Sequence, residues 1–131
     1  MTPTRAGGTA ASEWVIGDLL MRGSPSAPIS LATTASTSFD VVTAGESEFS
    51  LNVSMTGAAD ADLTVTVVTL QPDGVTAGPV VPPLQSTASK FAGSTVTFYG
   101  NYDVSGVDRI RVTIKNNNAG TQTANYSWKL T

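Results

Sequence analysis

Residues 109–115 read RIRVTIK and residues 124–130 read ANYSWKL, and these two stretches decide the fold class. In the first stretch, Ile110, Val112 and Ile114 alternate with charged or polar neighbours. Successive side chains of a β-strand point to opposite faces, so this alternation predicts a strand with one buried face. The second stretch alternates in the same way. The predicted centre of the core consists of Ile110, Val112, Ile114 and Trp128.

The same two-residue period recurs upstream, in residues 49–55, 63–67 and 96–102. Thr and Val dominate these stretches, as expected of pleated, half-buried strands. The phase slips after Val67, because Val68 is also apolar, and this predicts a β-bulge or burial on both faces. No stretch of this region repeats with the period of a helix, so the sequence predicts an all-β domain.

Short polar links between the predicted strands indicate hairpins, and we expect two three-stranded antiparallel meanders at residues 37–70 and 94–130. The long segment 71–93 between them contains four prolines. A long link between two sets of short strands favours a crossover between two sheets. The predicted fold is an antiparallel β-sandwich over residues 36–131, either jelly-roll or Ig-like, and the sequence does not choose between these two strand orders.

Residues 1–35 are predicted to form an extended N-terminal arm. The first twelve residues are rich in Thr, Ala and Gly, and Pro25 and Pro28 interrupt regular structure near the domain. Between these stretches lies an apolar cluster, which is costly to leave in water. It covers either the chain's own domain or another chain, and flexible flanking segments favour the second. The predicted partner-binding residues of this arm cluster are Trp14, Ile16, Leu19, Leu20 and Met21.

The amino-acid composition argues against several classes of function. The chain has 131 residues, no cysteine and no histidine. These absences argue against disulfide scaffolds, His-based metal sites and Ser-His-Asp catalysis, so we expect a non-enzyme without cofactors. The net charge of −3 makes nucleic acid or an anionic membrane an unexpected partner. We expect a single domain at this length.

Acidic residues are the remaining candidates for chemistry. Asp60, Asp62 and Asp73 are candidate calcium ligands, but the D-x-D spacing lacks the rest of a calcium loop. We interpret them as turn residues and predict no metal site. Two further carboxylate pairs, Glu46 with Glu48 and Asp103 with Asp108, flank turns. A glycosidase needs two carboxylates facing each other across a cleft, which exposed hairpins seldom provide.

Two further surface features are candidates for binding a partner molecule. Tyr99 points away from the apolar face of its strand, so its ring is a candidate for stacking against a sugar; Tyr102 joins it only if the strand phase breaks at Gly100. Arg109, Arg111, Lys115 and Lys129 form a predicted basic stripe on the outer face of the last two strands. We interpret the stripe as a solvated face that discourages edge-to-edge pairing.

The stretch from Tyr102 to Leu130, YDVSGVDRIRVTIKNNNAGTQTANYSWKL, resembles the closing strands of small β-sandwich structural proteins on tailed-phage particles. The resemblance spans about residues 94–131. It implies a virion protein, such as a head decoration, neck or tail component, that assembles in the host cytoplasm, binds other virion proteins through its arm and self-associates. A Met1 start without a signal-type apolar core agrees with this origin. The alternative is a carbohydrate-binding module or adhesin domain that binds surface glycans.

Overall fold

The computed structural model describes residues 23–25, 28–81, 83–86 and 88–131. This part of the chain is built almost entirely from strands, joined by turns and one short 3-10 turn at Asp60–Asp62. The strands are β1 (Gly23–Pro25), β2 (Ile29–Leu31), β3 (Ser36–Val42), β4 (Glu48–Thr56), β5 (Leu63–Leu70), β6 (Ala77–Val80), β7 (Pro83–Ser86), β8 (Lys90–Ala92), β9 (Thr95–Asp103), β10 (Arg109–Asn116) and β11 (Gln122–Leu130). The prediction of an all-β chain is confirmed.

The strands form two antiparallel sheets that pack face to face. Sheet A has the order β1-β11-β4-β9-β7, with β2 also paired to β11 and β8 to β9. Sheet B has the order β3-β10-β5-β6. The predicted sandwich is therefore confirmed, and its core lies between the two sheets.

The strand order is that of a jelly roll. Eight strands pair as nested hairpins, with β5·β6 innermost, then β4·β9, then β3·β10, and β2·β11 outermost. Wrapping this antiparallel ribbon brings β11 beside β4 and β10 beside β5. Two Greek keys in eight strands define the jelly roll, so the structure selects it over the Ig-like alternative.

The predicted three-stranded meanders are wrong. The successive strands β3, β4 and β5 alternate between sheets B, A and B, and so do β9, β10 and β11 between A, B and A. Each short link therefore crosses from one sheet to the other. The links look like hairpin turns in sequence because a short polar turn is needed in either case. The predicted irregularity after Val67 is confirmed, since the β5·β6 register shifts between Val68 and Leu70.

The core contains the predicted inward residues of β10. Ile110, Val112 and Ile114 are fully buried, together with Phe49 and Leu51 of the facing sheet. The other buried apolar residues of the described chain are Leu31, Val41, Val53, Met55, Leu63, Val67, Val81, Val96, Tyr102, Val104, Ala124 and Leu130. The inward phase read from the sequence is thus confirmed for these strands.

Trp128 lies at the margin of the core and not at its centre, so that part of the core prediction is wrong. Its side chain points inward but is only partly buried, and its ring lies 6.0 Å from the ring of Phe49. Trp128 belongs to β11, which faces β3 through the stacked rings of Phe39 and Tyr126. Strand β3 is the last strand of sheet B in the described chain, so no further strand of that part of the chain covers this side of the core.

The sandwich begins earlier than residue 36. Strands β1 and β2 pair with β11 as part of sheet A, although the sequence analysis placed both in the arm. Leu31 is buried in the core, and the buried side chain of Asn116 donates hydrogen bonds to the carbonyl groups of Leu31 and Ala32. The described part of residues 23–35 is therefore integrated into the fold.

Candidate functional site

The arm cluster, Trp14, Ile16, Leu19, Leu20 and Met21, lies outside the described residues. The first described strand after it in the sequence is β1, whose Gly23 pairs with Lys129 of β11. Strand β1 lies at the margin of sheet A.

Tyr99 lies on the outer face of sheet A, as predicted. Directly opposite it on β4 is Asn52, and opposite Asn52 on β11 is Ser127. Asn101, two residues along β9, has a buried side-chain oxygen without a hydrogen-bond partner among the described residues. The face is thus largely polar, and in the described chain Tyr99 is the one aromatic residue on it. A sugar ring has one stacking partner here, whereas carbohydrate modules usually present several.

Tyr102 is not available to a ligand, so the idea that it joins Tyr99 is wrong. It is buried on the inner face, and burial raises the pKa of its phenol. The alternation of inward and outward side chains continues through Gly100. Tyr102 points inward, and its ring lies over this glycine. A Cβ at residue 100 would stand 2.6 Å from Cε1 of Tyr102. Gly100 therefore marks a close approach inside a regular strand.

Asp60, Asp62 and Asp73 hold loops together. One carboxylate oxygen of Asp62 accepts hydrogen bonds from the backbone N–H groups of Ala58 and Ala59 and from the side-chain amide of Asn118. These hydrogen bonds hold the pKa of Asp62 below its usual value, and the one from Ala58 has the largest effect. Asp60 accepts a hydrogen bond from the backbone N–H of Phe91 at 2.6 Å. Both carboxylates therefore tie the 57–62 loop to neighbouring segments.

Asp73 organises the turn between β5 and β6. Its carboxylate accepts hydrogen bonds from the side-chain hydroxyl and backbone N–H of Thr76 and from the N–H of Val75. These contacts lower the pKa of Asp73 to about 2. Gly74 follows with a φ of 74°, a backbone conformation that favours glycine. Among the described residues, no group of three or more acidic side chains is arranged to hold a metal ion.

The remaining carboxylates are grouped differently from the expectation. Glu48 of β4 and Asp103 of β9 lie directly opposite each other on neighbouring strands. The predicted pairs were instead Glu46 with Glu48 and Asp103 with Asp108, each across a turn. A hydrogen bond from the N–H of Ser105 is the main cause that lowers the pKa of Asp103. Asp103 is therefore ionised at neutral pH and unsuited to act as a general acid.

The predicted basic stripe is split between two faces and is therefore wrong. Arg109, Arg111 and Lys115 lie on the outer face of sheet B, but Lys129 belongs to β11 of sheet A. The stripe was predicted on the premise that β10 and β11, which follow each other in the sequence, lie in the same sheet. Because β10 and β11 lie in different sheets, their outward side chains point to opposite sides of the sandwich.

Sheet B carries a charged pair that the sequence analysis missed. Arg111 of β10 and Asp40 of β3 lie directly opposite each other, and Arg111 binds both carboxylate oxygens, at 2.8 and 3.1 Å. The hydrogen bond from Arg111 is the main cause that lowers the pKa of Asp40. Arg111 also donates to the carbonyl group of Val75 at 3.2 Å. Its guanidinium thus links three segments of this face, because β3, β10 and the β5–β6 turn meet there.

Three apolar residues of β3, β6 and the turn before β6 are more than half exposed: Val42, Val80 and Val75. Val42 lies two residues after Asp40 on β3. A shallow cleft of about 340 Å³ lies between residues 69–72 and residues 106–109. The outer face of sheet B is therefore more apolar toward the β5–β6 turn, whereas its other end carries Ser and Thr.

No model of a known protein family matches the chain, and no curated protein matches it at a significant level. The fold is similar to that in the crystal structure of the SPBc2 prophage-derived protein YomS. The TM-score is 0.46 and the sequence identity is 13%, over 86% of this chain and 98% of that chain. The described residues include no helix long and apolar enough to cross a membrane.

Proposed function

We propose that this chain is a structural subunit of a tailed-phage particle. In this role the sandwich is a rigid body, the N-terminal segment attaches it to other virion proteins, and copies of the subunit associate with each other. Assembly takes place in the host cytoplasm, and the mature location is the virion. The prophage origin of YomS agrees with the proposal, which rests on the features of this chain.

The observation that carries the proposal is the apolar arm cluster in the sequence before β1. Trp14 to Met21 precede β1, which joins the margin of sheet A. Burying one large apolar side chain contributes about 1.5–3 kcal/mol, so a partner surface that covers several of them binds the segment firmly. The 22 residues that precede β1 in the sequence can span at most about 75 Å when fully extended. Copies that are held on one particle add their contacts through avidity.

We also propose that the chain is not an enzyme. Without His or Cys, the carboxylates are the main candidates for acid–base chemistry. The pKa values of Asp62, Asp73 and Asp103 are all lowered by hydrogen bonds to the ionised form. A general acid at neutral pH needs a raised pKa, so these shifts run in the opposite direction. These three carboxylates are therefore unsuited to act as general acids at neutral pH.

The test is co-purification with particles. A tagged full-length chain is expressed in cells of the source strain during lysis, and particles are banded in a density gradient. We expect the chain in the particle band and its loss from the band after Trp14→Ser combined with Leu20→Ser. The matched control is Thr4→Ala combined with Thr9→Ala, in the same segment. Absence of the parent chain from the particle band contradicts the proposal.

A glycan-binding module is the second candidate, favoured by the outward Tyr99 with Asn52 opposite it. The ring would stack on a sugar and the amide would bind a hydroxyl group. Its test is a glycan array with the parent chain and Tyr99→Ala, with Thr97→Ala on the same face as the control. Binding that is lost only with Tyr99→Ala supports the module. No binding by the parent chain contradicts it.

A further inference from the structure

One of the four sheet edges in the described chain is long and regular, and the other three are short or interrupted. Sheet A ends in β1 and β2 on one side, each of three residues, and in β7 and β8 on the other, where Pro83 precedes a register shift. On sheet B, β6 has four residues, contains Pro79 and pairs with a register shift. Such features protect edges against pairing with other chains. Strand β3 has seven residues, lacks Pro and Gly, and keeps an unbroken register with β10.

The hydrogen-bond pattern shows which backbone groups of β3 face outward. At its two ends, the N–H of Asn116 donates to the carbonyl of Ala35 at 2.9 Å, and the N–H of Thr43 donates to the carbonyl of Asp108 at 2.8 Å. Hydrogen-bonded pairs alternate along an antiparallel ladder, so the odd-numbered residues of β3 bind β10. The even-numbered residues direct N–H and C=O groups away from the sheet. These residues are Ser36, Ser38, Asp40 and Val42.

The side chains of these four residues are exposed and offer little protection to the edge. Asp40 is the one charged residue of β3, and its carboxylate is bound through both oxygens by Arg111. Val42 is apolar and 57% exposed. On the inner side, the Phe39 ring stacks on Tyr126 with centroids 4.2 Å apart, and both are only partly buried. An added strand would cover these rings.

We propose that β3 pairs with β3 of a second copy of this chain, antiparallel, around a two-fold axis at Phe39. The two four-stranded sheets then join into one continuous sheet. Ser38 lies opposite Asp40 of the second copy, and its hydroxyl can donate to that carboxylate while it accepts from the Thr113 hydroxyl at 2.9 Å. The two Phe39 residues face each other at the closer, non-hydrogen-bonded spacing. A C2 interface requires such a self-complementary surface.

This register is preferred over its neighbours for electrostatic and geometric reasons. A shift of two residues in one direction places Asp40 opposite Asp40 of the second copy, and like charges directly opposite destabilise a pair. A shift in the other direction leaves Val42 without a partner residue. The proposed register uses all four outward residues. The inference deepens the self-association in the proposed function and rests on that function for its biological role.

The experiment measures the molar mass of the full-length chain by sedimentation equilibrium over a range of concentrations. We expect a monomer–dimer equilibrium. Ser38→Asp places two like-charge contacts in the interface, one for each copy, and we expect dimer dissociation to increase about tenfold. Ser38→Lys places a cation opposite Asp40 and should not weaken the dimer. Thr66→Asp, which adds the same charge to the same face on the interior strand β5, is the matched control.

Circular dichroism and thermal unfolding confirm that each variant is folded. A parent chain that stays monomeric overturns the inference, as does a dimer that Ser38→Asp and Thr66→Asp weaken equally. If the chain is monomeric and dimerises only after removal of residues 1–22, the chain's own N-terminal segment covers the edge of β3. This result also overturns the inference. A β3 dimer that is absent from particles refutes the virion role alone, so the two failures are distinguishable.

Discussion

Replacing Asn116 by Ala tests how the sandwich holds the segment that follows β2. The Asn116 side chain is fully buried at the end of β10. Its amide group donates to the carbonyl groups of Leu31, Ala32 and Gly120, at 3.0, 3.2 and 3.0 Å. Its oxygen accepts from the N–H of Asn118 at 2.8 Å. One side chain therefore joins the start of the sandwich to the β10–β11 loop.

The magnitude follows from these contacts. A hydrogen bond contributes about 1 kcal/mol net, and a buried polar group left without a partner costs about 1–3 kcal/mol. Asn116→Ala removes every side-chain hydrogen bond of residue 116. At least one buried carbonyl group then loses its hydrogen-bond donor from this side chain. We expect the free energy of unfolding to fall by about 3 kcal/mol, a large fraction of the stability of a typical domain. Urea unfolding followed by circular dichroism measures this change.

Two further variants sharpen the test. Asn125→Ala, at an exposed position on the outer face of sheet A, should change stability by less than about 0.5 kcal/mol. Asn116→Asp keeps the shape, but an ionised carboxylate cannot donate to the three carbonyl groups. Burial among them raises the folded-state pKa of the new carboxyl, so this variant loses stability as the pH rises through that pKa. A loss below about 1 kcal/mol for Asn116→Ala would refute the reasoning.

Three other outcomes are expected. Ile110→Ala should cost about 2–5 kcal/mol, whereas Trp128→Ala should cost less than the usual 3–5 kcal/mol because its ring is partly exposed; equal losses in urea unfolding would contradict the marginal position of Trp128. The folded-state pKa of Asp73 lies near 2, so its turn contacts persist in mild acid and are lost as the pH falls through about 2. An NMR titration of Asp73 should show a higher pKa after Thr76→Ala. Deleting residues 1–22 should leave the melting temperature nearly unchanged, but deleting residues 1–35 should lower it sharply, because it removes β1, β2 and buried Leu31; similar melting temperatures for both truncations would argue against this boundary.

The sequence by itself determined that residues 49–55, 63–67, 96–102, 109–115 and 124–130 lie in strands, and which of their side chains face inward. Side-chain direction alternates along any strand, so the apolar positions of residues 109–115 identify the buried face without knowledge of the partner strand. The turn at Asp73 and Gly74 is equally local, because its hydrogen bonds span three residues or fewer. For the same reason the outward direction of Tyr99 was predictable.

Only the tertiary structure decided which sheet each strand joins. Alternation is satisfied in either sheet, and the pairs that fix the choice join distant parts of the chain, such as Leu31 with Gln122. The strand order then separates Lys129 from Arg109 and places Trp128 at the margin of the core. It also makes β3 an edge strand. These properties depend on a strand's neighbours in space, and a local pattern carries no information about neighbours that the chain reaches only after wrapping into a jelly roll.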